Sequence, residues 1–135
     1  MLLLCILVAC GRLVWPFFFP PVVMPSGPSI TVSGRHELRV TVTGYEDLGN
    51  GSWRVDVAIT DLEVYEVDGE YYWDGWFEVE DAEGNRFDPA RVEGPDRDYI
   101  YGNETLEFSL FVEGLAADPA YVVFDDVNYI PLEED

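Results

Sequence analysis

From Ile30 onward, apolar and polar residues alternate with a period of two, and turn-forming residues repeatedly interrupt the alternation. Leu38, Val40 and Val42 alternate with Arg39, Thr41 and Thr43; Val55, Val57 and Ile59 alternate with Arg54, Asp56 and Thr60. Phe77 and Val79 alternate with Glu78 and Glu80, and Leu106, Phe108, Leu110 and Val112 with Glu107, Ser109, Phe111 and Glu113. Such spacing puts all the apolar side chains of a strand on one face. Tyr121 to Phe124 is a shorter, wholly apolar run, and Val127 to Leu132 closes the sheet. Turn chemistry fills the gaps: Gly49-Asn50-Gly51, Asp68-Gly69, Glu83-Gly84-Asn85, Gly94-Pro95-Asp96 and Gly102-Asn103. No stretch sustains a helical period. The pattern predicts an all-β fold of about six to eight antiparallel strands in two packed sheets. One face of each strand is buried and the other carries acid, which also discourages pairing between sheet edges.

The chain has 135 residues, room for one compact domain, and an apolar fraction of 48% with 15% aromatics is enough to build its core. Charge is unevenly spread. All 27 acidic residues lie at or after Glu37, and Arg12 is the only charge before Arg35. Residues 35 to 135 therefore set 27 acids against six arginines, a net of −21. A field of that sign repels phosphate backbones and argues against nucleic-acid binding. Cations, whether metal ions or basic polymers, are compatible with it. There is no lysine, so arginine supplies every long basic side chain. Cys5 and Cys10 both precede the acidic region, which can therefore hold neither a disulfide nor a thiolate site.

Residues 1 to 24 form an apolar signal or anchor segment, residues 25 to 29 (Pro-Ser-Gly-Pro-Ser) a linker, and residues 30 to 135 the acidic sandwich domain. Leu2 to Ala9 is a short apolar run that suits a signal sequence better than a membrane span. The tetrad Leu7-Val8-Ala9-Cys10 resembles the bacterial lipoprotein signal, in which a small residue precedes the cysteine that becomes lipidated. Two or more acyl chains then give stable anchoring. The alternative is an uncleaved anchor. A helix from Met1 to Trp15 would span only about 22 Å, short of the ~30 Å hydrocarbon core, and Pro16, Pro20 and Pro21 would break it. Either reading places the domain outside the cytoplasm and on a membrane.

Two segments carry a family resemblance. Phe77 to Pro89 reads F-x-V-x-D-x-x-G-x-x-F-x-P, a hairpin, and Gly102 to Phe108 followed by Val122-Val123-Phe124 supplies a turn, a long strand and a late apolar strand. This order resembles the telokin-like, immunoglobulin-like β-sandwich domains of prokaryotic surface lipoproteins, over roughly residues 30 to 132. Asp61 stands where such domains often place asparagine after the second strand. The resemblance implies an immunoglobulin-like fold and an extracytoplasmic address, and it supplies no catalytic residue.

Candidate sites are few. His36, the only histidine, begins a strand between Arg35 and Glu37, where an ordinary exposed position is expected. Neither a second histidine nor a serine-centred nucleophile motif supports it as a base. Asp125-Asp126 and Glu133-Glu134 are adjacent carboxylates of the kind that arise by chance in so acidic a chain. Asp81, Glu83, Asn85 and Asp88 present oxygens that calcium favours, but the glycine stands fourth in the run, where an EF-hand loop has it sixth. A tight hairpin turn is the preferred reading there, with weak calcium binding by the acidic surface as the alternative. Tyr71, Tyr72, Trp73 and Trp76 form the densest aromatic cluster, with Tyr99 and Tyr101 in a later loop. Rings of this kind stack on sugars or grip partners. They cannot all face one way on a strand unless Asp74-Gly75 kinks it. Asn50-Gly51-Ser52 and Asn103-Glu104-Thr105 match the glycosylation pattern by a motif too common to carry weight. The sequence therefore points to a non-enzymatic, membrane-anchored extracytoplasmic domain that binds a protein or another envelope component. The alternative is a carbohydrate-binding module built on the aromatic cluster.

Overall fold

A computed structural model describes residues 24–34, 36–63, 71–72 and 77–134 of the chain. Eleven strands lie among them: β1 (Ser29–Ser33), β2 (Glu37–Gly49), β3 (Ser52–Asp61), β4 (Tyr71–Tyr72), β5 (Phe77–Asp81), β6 (Arg86–Phe87), β7 (Arg91–Glu93), β8 (Tyr99–Ile100), β9 (Thr105–Val112), β10 (Pro119–Phe124) and β11 (Asn128–Pro131). The described residues contain no helix, and so none long and apolar enough to cross a membrane. Every alternating run of the sequence is a strand. The surplus over six to eight comes mainly from β4, β6, β7 and β8, which at two or three residues are too short for alternation to reveal.

All pairings are antiparallel. One sheet runs β1-β2-β3-β9-β7, a second runs β11-β10-β5-β6, and β4 pairs with β8 alone. The inward positions of both large sheets meet in one core, as in a β-sandwich. Leu38, Val40 and Val42 of β2, Val55, Val57 and Ile59 of β3, and Leu106, Phe108, Leu110 and Val112 of β9 line it from one side. Phe77, Val79, Val122, Phe124 and Ile130 line it from the other. Phe77 links the layers, its ring centre 5.7 Å from that of Phe108 and 5.3 Å from that of Phe124. Contacts of that kind add about 0.5–1.5 kcal/mol to the area they bury.

Turn residues set the registers. Asn50 and Gly51 join β2 to β3 with φ of 56° and 76°, the paired left-handed conformation that twists with the strands and that Asn-Gly adopts readily. A β-carbon on Gly51 would also lie 2.6 Å from the Leu115 carbonyl oxygen. Between β5 and β6 the chain makes a turn closed by the Gly84 N–H on the Asp81 carbonyl, with Gly84 at φ 86° and the Asp81 N–H bonded to the Asn85 carbonyl. Two strands also carry irregularities that aim their ends. β2 shifts register between Val42 and Gly44, so that Tyr45 pairs with Val55 and stays on the inward face; β10 shifts between Pro119 and Tyr121.

Candidate functional site

His36 is buried, which corrects the exposed position expected from sequence. It continues the inward register of Leu38, Val40 and Val42, and Asp61 continues that of Val55, Val57 and Ile59, so both side chains fall at the rim of the core. They are each 1% exposed, with His36 Nδ1 2.6 Å from Asp61 Oδ2. Asp61 Oδ1 accepts the Glu63 N–H at 3.0 Å, and the Asp61 backbone bonds to Glu104 and Asn103. The pair ties the start of β2 to the end of β3 and to the loop before β9. Both side chains are closed to solvent.

Asp81 likewise faces inward, 2% exposed. Its Oδ1 accepts the backbone N–H groups of Glu83 and Asn85, each at 2.9 Å, and its Oδ2 accepts Asn85 Nδ2 at 3.3 Å. Desolvation pushes this carboxyl up, but the bonds from Asn85, Glu83 and Gly84 outweigh it and hold the group below its usual 3.8. Both oxygens are thus engaged by N–H donors of their own turn, while Glu83, Asn85 and Asp88 are exposed. Among the described residues, no three His, Cys, Asp or Glu side chains are grouped to hold a metal ion.

Of the sequence-predicted aromatic cluster, Trp73 and Trp76 lie outside the described residues, as does Cys10. The backbone of Tyr71 and Tyr72 pairs with Ile100 and Tyr99, which brings the two parts of that cluster into one small sheet. The Tyr99 and Tyr101 rings meet edge to face, 5.7 Å apart. Arg97 lies 5.1 Å from the Tyr99 ring centre and bonds Glu104 at 2.6 Å.

A different aromatic site emerges at the end of the sandwich opposite the His36–Asp61 pair. The irregular ends of β2 and β10 frame a cleft of about 360 Å³ lined by Tyr45, Trp53, Tyr121, Asp118, Glu133, Pro119, Ala120, Pro131 and Leu132. The Tyr45 and Trp53 rings are 6.3 Å apart and tilted by 42°. Tyr121 meets Tyr129 edge to face at 5.9 Å, and Tyr45, Tyr121 and Tyr129 are all exposed. The Tyr45 hydroxyl donates to Glu133 Oε1. That bond, then desolvation and the charges of Glu133 and Asp118, push the hydroxyl above its ordinary 10.0. The cleft is therefore aromatic in its walls and negative in its field. Sequence reasoning missed it because its residues come from three distant segments. The signals available were Gly44, which breaks the alternation in β2, and Pro119 at the start of β10.

A groove on the outer face of the five-stranded sheet is less apt. There Arg54 pairs with Glu46 and Asp56, and Ser109 donates to Asp56, so the basic group of the groove is already held by its own carboxylates.

Comparison with known proteins finds no matching family model, no similar curated protein and no similar solved structure.

Proposed function

We propose that the chain is a non-enzymatic binding domain, of immunoglobulin-like type, that is held outside the cytoplasm by its N-terminal segment and grips an envelope protein. The observation that carries this reading is the cleft of Tyr45, Trp53 and Tyr121 beside Glu133 and Asp118. Exposed rings held on paired strands are the usual anchors of a protein interface. A photo-reactive amino acid at Tyr121, in cells, should give a discrete adduct with another protein. The same group at Val127, 73% exposed on a hairpin tip, should not. No adduct from position 121, or equal adducts from both, would defeat the reading. For the anchor, Cys10→Ser should accumulate as an unprocessed precursor; a mature chain still beginning at Met1 would leave the uncleaved anchor instead.

The second reading, a carbohydrate-binding module, is favoured by the exposed Tyr45 ring beside the half-buried Trp53, since tyrosine and tryptophan faces stack on sugars. Saturable binding to a glycan array, lost on Trp53→Ala, would select it over the first.

A further inference from the structure

Three of the five described arginines of this chain repeat one arrangement, Arg39 and Arg54 being held by Ser29 and by Glu46 and Asp56 instead. Arg86 lies 5.4 Å from the Tyr129 ring centre and pairs with Asp126. Arg91 lies 4.1 Å from the Phe111 ring centre and 3.0 Å from Glu93. Arg97 lies over Tyr99 and bonds Glu104. Each guanidinium rests on an aromatic face and reaches a carboxylate, which is the geometry its flat, delocalised charge favours.

The cleft supplies the same two components, rings and carboxylates. Tyr45 and Trp53 offer the faces, Glu133 and Asp118 the charge, and none of the described residues lining it is basic. Glu133 Oε1 is engaged by Tyr45, an exposed bond that leaves the second oxygen of the carboxylate for another donor. A volume of about 360 Å³ lies at the small end of ligand pockets and suits one long side chain. The net charge of −20 draws basic partners toward the whole domain.

We propose that this cleft receives the guanidinium of an arginine presented by a partner protein, stacked against the Tyr45–Trp53 walls and paired with Glu133. The assignment rests on the binding reading above and names its ligand. Guanidinium is preferred to ammonium because it stacks on a ring and pairs with a carboxylate in one plane, whereas ammonium is a compact, strongly hydrated point charge.

The test uses the full chain in detergent with ¹⁵N-labelled tryptophan, the Trp53 indole signal being assigned by Trp53→Phe. It is titrated with a capped Gly-Arg-Gly-Arg-Gly peptide, its lysine counterpart and a neutral oligosaccharide. The arginine peptide should shift the Trp53 indole saturably and bind at least roughly threefold more tightly than the lysine peptide. Glu133→Gln should weaken it about tenfold and Tyr45→Ala about two- to fivefold. Both positions are exposed, so neither substitution opens the core, and the unchanged spectrum of the remaining signals checks that the fold is kept. Equal affinity for the two peptides, unaffected by either substitution, would reduce the effect to diffuse charge attraction and overturn the proposal. A Trp53 shift with the oligosaccharide alone would overturn the guanidinium while leaving a binding domain. No shift with any probe would also overturn it, and the cross-linking at Tyr121 would then decide the binding reading separately.

Discussion

Two buried carboxylates hold corners of the structure, and each has a distinct signature when altered. Asp61 accepts from the His36 ring and from the Glu63 N–H. Asp61→Ala strands both groups in a site closed to water, at a cost of about 2–4 kcal/mol. Asp61→Asn keeps one oxygen for the Glu63 N–H, and its amide can donate to the His36 ring in the other tautomer, so it should cost less, about 1 kcal/mol. Urea unfolding measures both, and an alanine variant as stable as the parent would refute the account of this corner. Asp81 titrates below 3.8 when folded. A carboxyl depressed by folding stabilises the native state above its unfolded value, and that contribution fades as the pH falls through the folded value. Asp81→Asn should therefore be less stable than the parent near neutral pH. The gap should close as the pH falls below the ordinary carboxylate value and through the lower folded one. A gap constant with pH would mean that the turn does not depend on the charge. His36 shows where sequence reading slipped at this scale. An isolated histidine beside Arg35 and Glu37 reads as surface, yet its even position with Leu38, Val40 and Val42 already assigned it to the inward face.

Elements built from local chemistry were legible, and those built from distant segments were not. The strands β2, β3, β5 and β9 follow from alternation, because a half-buried strand imposes its period on the sequence, whereas β10 shows as a short apolar run and β11 as the segment that follows it. The Asn50-Gly51 and Asp81–Asn85 hairpins follow from residues that tolerate positive φ. The two glycines nevertheless differ. Both sit near φ 80°, where a β-carbon costs about 1–2 kcal/mol. At Gly84 nothing lies within 4 Å of the added carbon, so Gly84→Ala should cost only that strain. At Gly51 the carbon meets the Leu115 carbonyl oxygen at 2.6 Å, and the Leu115 N–H already bonds the Gly51 carbonyl. Gly51→Ala should therefore cost about 1–2 kcal/mol more than Gly84→Ala. Equal losses in thermal unfolding would show that the Leu115 segment yields freely. The strand order β1-β2-β3-β9-β7 brings β9 beside β3 across some forty-five positions in sequence, as between Thr60 and Thr105. No local pattern encodes that pairing. The cleft inherits the same opacity: Tyr45 and Trp53 come from one hairpin, but Tyr121 and Glu133 reach it only through the packing of the second sheet.

Over the whole molecule, charge works against the packing. The net of −21 from Arg35 onward is spread over the surface of one small domain, and the described ion pairs engage only a minority of the acids. Like charges crowd one another in the compact state and lie farther apart in the unfolded chain, so screening favours folding. Raising sodium chloride from low concentration to about 1 M, where the screening length falls to about 3 Å, should stabilise the fold by roughly 1–2 kcal/mol, a rise of about 5–10 °C in Tm. Divalent cations should give the same gain at lower concentration, because each neutralises neighbouring carboxylates more effectively. Calcium and magnesium are expected to act alike. The carboxylate best placed for a calcium loop, Asp81, already accepts three N–H groups from its own turn, and a cation there would face those hydrogens. Differential scanning calorimetry in matched calcium and magnesium series checks this directly. A sharp preference for calcium that Asp81→Ala abolishes would establish a structural ion at the hairpin. A Tm indifferent to every salt would remove charge repulsion as a term in the stability of this domain.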